Sequence, residues 1–198
     1  MTLHSFDNDT RRDLARRQLE IDPASFVVLA LTLDARRLTP CVGIDTVILG
    51  VAGLRQRHGV DAMLLVAAGA VADVDAVADT AAAAELARLR ELVRALAMKP
   101  HVRFLTAAPM NVLRDCHAAA NVLVSTPWRA ADAGSAVGSG CGAACNGRSH
   151  AILPTHDAEA LVARLARLQR CPGHTPATAN AACAHLADLR ALHKPAFQ

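Results

Sequence analysis

The chain has 198 residues, of which 53% are hydrophobic, 3% aromatic and 20% charged, and its formal net charge is +3. This length suits one domain with a tail, and a chain of this size buries roughly 70% of its unfolded surface, so folding needs no disulfide framework. Tyr is absent and Trp128 is the single tryptophan, which argues against a nucleic-acid platform of stacked aromatic rings. The mild charge, without a dense basic run, also predicts no nucleic-acid partner.

The compartment follows from the cysteines and the N-terminus. Six cysteines are dispersed along the chain and do not form the dense pattern of a small disulfide scaffold. The first residues carry acids and lack an apolar core, so we expect no secretory signal. No stretch reaches the roughly 20 apolar residues of a transmembrane segment. We therefore expect a cytoplasmic protein with free thiols, and peripheral attachment to a membrane stays open.

Helical and strand patterns alternate along the first two thirds of the chain. Residues 10–20 predict a short amphipathic helix, which Asp22 and Pro23 end. The continuous apolar run from Phe26 to Leu33 is typical of a strand buried on both faces. The alternation then continues with a loop at 34–42, a helix at 43–58, a strand at 62–68, a small-residue linker at 70–80, a helix at 80–98, a short strand at 102–105, a helix at 111–119 and a strand at 121–125.

The last third is less regular. Residues 130–149 lose the periodic pattern, 151–153 fit a short last strand, and helices are predicted at 157–170 and 178–193. The β-α-β-α-β-α-β order predicts an α/β fold, a Rossmann-like three-layer sandwich with a parallel sheet and right-handed crossovers. We expect one domain over 1–172 and a helical tail over 173–198. Ligands of such folds bind outside the carboxyl ends of the strands.

Several short motifs follow one another in a recognisable order. They are Val27-Val-Leu-Ala-Leu, Arg37-Leu-Thr-Pro with Gly43-Ile-Asp-Thr-Val-Ile48, Asp61-Ala-Met-Leu-Leu-Val-Ala-Ala-Gly69, His101-Val-Arg-Phe-Leu105, Ala118-Ala-Ala-Asn-Val-Leu-Val-Ser-Thr-Pro-Trp128, and Ala151-Ile-Leu-Pro-Thr-His-Asp-Ala-Glu-Ala-Leu161. Together, from about Arg12 to Arg170, they resemble the C-terminal, nucleotide-sugar-binding domain of group 1, family 4 glycosyltransferases, which have the GT-B architecture. The resemblance implies a domain without its acceptor-binding N-terminal partner.

The resemblance also implies a donor site. In the family an arginine and a lysine neutralise the diphosphate of a nucleotide sugar, and two glutamates flanking a Gly-rich stretch hold the ribose and the sugar. Arg37 stands at the place of the arginine, whereas Val42 replaces the lysine, Ala130 replaces the first glutamate, and the second glutamate falls near Ser135. The residues that perform the family's chemistry are therefore mostly replaced, and the resemblance implies a degenerate member.

Part of the implied site does not depend on those side chains. The stretch with Gly138, Gly140 and Gly142 resembles the helix start that approaches the phosphates, and backbone N–H groups in glycine turns hold anions whatever the side chains are. Trp128 and Ser135 are expected to line the donor cleft. Each feature has a simpler interpretation: Arg37 as an exposed loop arginine, the glycines as a flexible surface loop, and Trp128 as a packing anchor.

Neither a metal nor a cofactor is expected. Cys141 and Cys145, with His150 and His156 nearby, lack the tighter pairs that zinc sites use. A loose dinucleotide-like pattern over 138–143 follows a late strand, whereas a dinucleotide fingerprint follows the first. No Gly-x-Ser-x-Gly motif occurs, so hydrolase chemistry has little support.

Three functions remain in competition. The first is a glycosyltransferase-family domain that binds a nucleotide-diphosphate sugar, as one half of a split or degenerate enzyme that transfers a hexosyl group. Its partner is a separately encoded acceptor domain or a second copy of the chain, and catalysis by this chain alone is not expected. The second is a non-catalytic interaction or regulatory module, a pseudoenzyme that acts through an apolar surface. The third is a remnant without a function of its own.

Overall fold

The computed structural model of the chain describes residues 3–32, 43–69, 80–125, 149–152 and 157–170. The predicted loop at 34–42, the irregular segment at 130–148, the helix at 178–193 and the tail at 173–198 lie outside these residues. The helices are α1 (Leu3–Gln18), α2 (Ile44–His58), α3 (Thr80–Ala95), α4 (Met110–Ala119) and α5 (Ala158–Arg170), with a short 3₁₀ turn at Lys99–His101. The strands are β1 (Phe26–Thr32), β2 (Ala62–Gly69), β3 (Val102–Ala108), β4 (Val122–Ser125) and β5 (Ser149–Ile152).

The five strands form one parallel sheet in the order β3-β2-β1-β4-β5. β1 is central, and its residues Val27, Val28 and Leu29 are fully buried. This burial explains the unbroken apolar run, because a parallel strand covered on both faces has no solvent-facing positions to fill with polar residues. The predicted parallel sheet and its buried first strand are confirmed.

Helices cover both faces of the sheet. On one face α2, α3 and α5 bury a core with the strands, and its largest fully buried helical side chains are Ile48, Leu54, Leu89, Leu161 and Leu165. On the other face α1 and α4 pack together over a second, smaller core that includes Ala15, Leu113 and Cys116. The three-layer α/β sandwich predicted from the sequence is therefore confirmed.

Some predicted boundaries were wrong. α1 starts at Leu3 rather than at 10, because Ser, Asp and Asn in its first turns are poor helix formers and obscure the pattern. β3 continues to Ala108 instead of ending at 105; the ladder shifts register between Ala67 and Gly69, and Ala107 takes a positive φ of 55°. β5 starts at Ser149 rather than 151, with polar residues that give no strand signal.

A buried arginine ties α1 to the sheet. Arg16 is 2% exposed, and its Nε donates to the carbonyl of Ala119 at 3.1 Å. Its Nη2 donates to Asn121 Oδ1 at 2.7 Å, and its Nη1 donates to the carbonyl of Pro23. Asn121 Oδ1 also accepts from the N–H of Val27 at 2.7 Å. One side chain thus joins α1 to the end of α4 and the amino ends of β1 and β4.

We expect Arg16→Met to lower the free energy of unfolding by about 2–4 kcal/mol, because buried acceptors lose their donors while the apolar stem is kept. Urea unfolding followed by circular dichroism measures the change. Arg17→Met is the matched control on the same helix, since Arg17 is exposed, and it should change stability by less than about 0.5 kcal/mol. Equal effects of the two substitutions would contradict the anchoring role.

Small residues let α5 approach α2 closely. A Cβ added at Gly50 would lie 2.5 Å from Leu161 Cδ2, and one at Gly53 would lie 2.8 Å from Val162 Cγ2. Leu161 and Val162 are both buried, and their side chains fill the space that a larger residue at Gly50 or Gly53 would need. The contact fixes the position of α5 on this face of the sheet.

Gly50→Val should therefore cost about 1–3 kcal/mol through overpacking, and Leu161→Ala about 2–5 kcal/mol through the cavity it leaves. In the double variant the valine fills part of that cavity, so the combined loss of unfolding free energy should be at least about 0.5 kcal/mol smaller than the sum. Urea unfolding of the wild type, the two single variants and the double variant completes this double-mutant cycle. Strict additivity would mean that the two positions do not share a contact.

Candidate functional site

The strand order places a topological switch point between β1 and β4. From β1 the chain proceeds to β2 and β3 on one side, whereas β4 and β5 lie on the other. β1 and β4 are hydrogen-bonded neighbours, with Val28 opposite Val122 and Ala30 opposite Val124. Thr32 and Ser125, the last residues of β1 and β4, therefore lie on neighbouring strands at the carboxyl edge of the sheet. Open α/β sheets bind their ligands at this kind of crevice.

Every side chain predicted for the donor site belongs to these two segments and lies outside the described residues. Arg37 falls between β1 and α2. Trp128, Ser135, Gly138, Gly140 and Gly142 fall between β4 and β5. The described strands thus bring the two starting points of these segments together, and the roles of the six residues stay predictions.

Among the described residues, the first turn of α2 also lies at this edge of the sheet. Gly43 precedes the helix with φ 71° and ψ 28°, a left-handed conformation that glycine adopts without strain. The N–H of Val47 donates to the carbonyl of Gly43 at 3.3 Å and starts the helical hydrogen bonds. Because α2 leads from β1 back to β2, its N-terminus lies at the carboxyl edge, where the helix dipole favours negative charge.

Asp45 already supplies a negative charge in this turn. Its Oδ1 accepts from the N–H of Thr46 at 2.8 Å, and its Oδ2 accepts from Arg88 Nη2 of α3 at 3.1 Å. The same arginine holds Glu85 through two bonds, Nε to Oε2 at 2.8 Å and Nη2 to Oε1 at 2.7 Å. Arg88 therefore bridges two helices and two carboxylates.

The charged group of Asp45, Glu85 and Arg88 is partly buried. The Glu85 side chain is only 5% exposed, whereas that of Arg88 is 47% exposed. The hydrogen bonds that Arg88 donates to Glu85, the largest cause, and to Asp45 raise the pKa of Arg88 above its ordinary value. The guanidinium is a fixed cation. Its two N–H donors, Nε and Nη2, lie in one plane and each binds one oxygen of the Glu85 carboxylate.

Sequence reasoning missed this group. The i,i+3 spacing of Glu85 and Arg88 signals an ordinary helix pair. Asp45 stands 43 positions away from Arg88, and only the packing of α3 against α2 reveals that the three charges meet.

A different polar cluster lies at the amino edge of the sheet. Asp61, just before β2, accepts from Arg55 Nη1 at 2.6 Å and from Ser25 Oγ at 2.7 Å. Arg55 also donates to the carbonyl of Ala62 at 2.9 Å. Nearby, burial and then the charge of Arg55 lower the pKa of His101. The cluster joins the start of β1, the start of β2 and the end of α2, which is a structural task.

The hydrogen bonds from Arg55 and Ser25 lower the pKa of Asp61. Its contribution to stability is therefore complete above the pKa of the unfolded state, near 3.9, and is lost as the pH falls through the lower folded value. We expect Asp61→Asn to destabilise the protein at pH 7 by less than about 1 kcal/mol, because the carboxylate is 63% exposed.

The difference between Asp61→Asn and the wild type should be equal at pH 7 and pH 5 and should shrink as the pH falls below about 4. Urea unfolding at pH 7, 5 and 3 measures it, with the exposed Asp13→Asn of α1 as the control. A gap that widens on acidification would show that the sign of the pKa shift is wrong.

The remaining chemistry of the described residues is sparse. Cys116 is free and buried, and burial raises the pKa of its thiol to about 11, so it is not a reactive thiolate. Within the described ranges, no three His, Cys, Asp or Glu residues come together as metal ligands. The helices described here include none that is long and apolar enough to cross a membrane. The side chains of Cys141, Cys145, His150 and His156 lie outside what the structure describes.

No protein-family model matches the chain, and no curated protein matches its sequence. Solved structures match its fold, and those with the same arrangement include GT-B glycosyltransferases. The chain covers 40–42% of the length of the three described next. It therefore has the fold of a part of these enzymes, and the expected fold resemblance is confirmed.

Three of the neighbours illustrate the match. Sucrose-phosphate synthase from Thermosynechococcus elongatus is 21% identical over 82% of this chain, with a TM-score of 0.58. Anabaena HepE, whose structure holds UDP and glucose, is 14% identical over 82%, also with a TM-score of 0.58. WaaG, a glycosyltransferase involved in lipopolysaccharide biosynthesis, is 17% identical over 80%, with a TM-score of 0.52. Sequence identity this low shows a similar fold and nothing more.

Proposed function

We propose that this chain is a glycosyltransferase-like domain that binds a nucleotide-diphosphate sugar at the carboxyl edge between β1 and β4. The observation that carries the proposal is the strand order β3-β2-β1-β4-β5. It brings together the starting points of the two segments that contain all six predicted site residues. That one neighbour was solved with UDP and glucose supports the choice of ligand class.

The proposed site works through fixed positive charge and backbone amides. Arg37 pairs with the diphosphate, and the N–H groups around Gly138, Gly140 and Gly142 contact the phosphates. Trp128 and Ser135 line the cleft for the base or the sugar. Donors held in place in this way stabilise the negative charge of a diphosphate, whether it is bound or leaving.

We assign donor binding to this chain and do not assign it catalysis on its own. Val42 and Ala130 occupy the places of a cation and a carboxylate, and neither side chain can bind a phosphate or a sugar hydroxyl. Transfer of a hexosyl group needs an acceptor-binding domain as well, and we propose that a separate chain or a second copy supplies it. The neighbouring reading frame is the place to look for such a partner.

Isothermal titration calorimetry with UDP, GDP and ADP tests the donor site. We expect micromolar binding of one of the three by the wild type. Arg37→Ala should weaken it about tenfold or more, because a charge-assisted bond to phosphate contributes about 1.5–3 kcal/mol.

Arg36→Ala is the matched control, since it removes the same charge one residue away, and it should change the affinity less than about threefold. The absence of binding at millimolar nucleotide would reject the proposal. Equal losses in the two variants would reject the role of Arg37 and leave only a general effect of charge.

A second candidate is a non-catalytic interaction module. Leu14 on α1 and Met110 on α4 are 52% and 59% exposed, and these two helices pack against each other on one face of the sheet. A face with exposed large apolar side chains favours a protein partner or a second copy. Light scattering separates the candidates: a stable dimer that binds no nucleotide supports this one, and a monomer that binds nucleotide supports the first.

A further inference from the structure

We draw no further inference here: the strongest candidate, the outer face of the packed helices α1 and α4 with its exposed Leu14 and Met110, carries none, because nothing in the described part of the structure shows what covers it.

Discussion

The position of β1 between β2 and β4 is the constraint on which the rest of this structure depends. β1 is buried on both faces and hydrogen-bonded to a parallel strand on each side. Its apolar side chains leave the sheet no solvent-facing side there, so helices must cover both faces. Since β1 lies in the middle, the strand order reverses beside it, and the carboxyl ends of β1 and β4 are neighbours.

The two edges of the sheet carry polar groups of different character. At the amino edge the polar side chains satisfy one another and the backbone: Arg16 with Asn121, and Arg55 and Ser25 with Asp61. Near the carboxyl edge Arg88 pairs with two acids, Glu85 of its own helix and Asp45 of α2. The first arrangement holds strands and helices together, whereas the second joins α2 to α3. The strand order, which makes β1 and β4 neighbours, is the reason to seek function at the carboxyl edge.

Much of the fold could be predicted from local sequence pattern. β1 and α2 were predicted to within a residue or two, because a doubly buried strand and a helix with one apolar face give strong signals. The extension of β3 to Ala108 and the start of β5 at Ser149 could not be predicted, since neighbouring strands impose them on residues without a strand pattern. For the site, family resemblance pointed to Arg37, Trp128, Ser135 and the glycines, which stay predictions. The meeting of Asp45 with Arg88 depends on helix packing, so no motif could have revealed it.

The location of the nucleotide is the central claim, and amide chemical-shift perturbation on the ¹⁵N-labelled chain titrated with UDP tests it most directly. We expect the largest shifts at the carboxyl ends of β1 and β4 and in the first turn of α2, near Thr32, Ser125 and Asp45. Amides of the amino edge, such as those of Ser25 and Asp61, should stay in place. Shifts concentrated at that opposite edge, or no shifts at saturating UDP, would contradict the account.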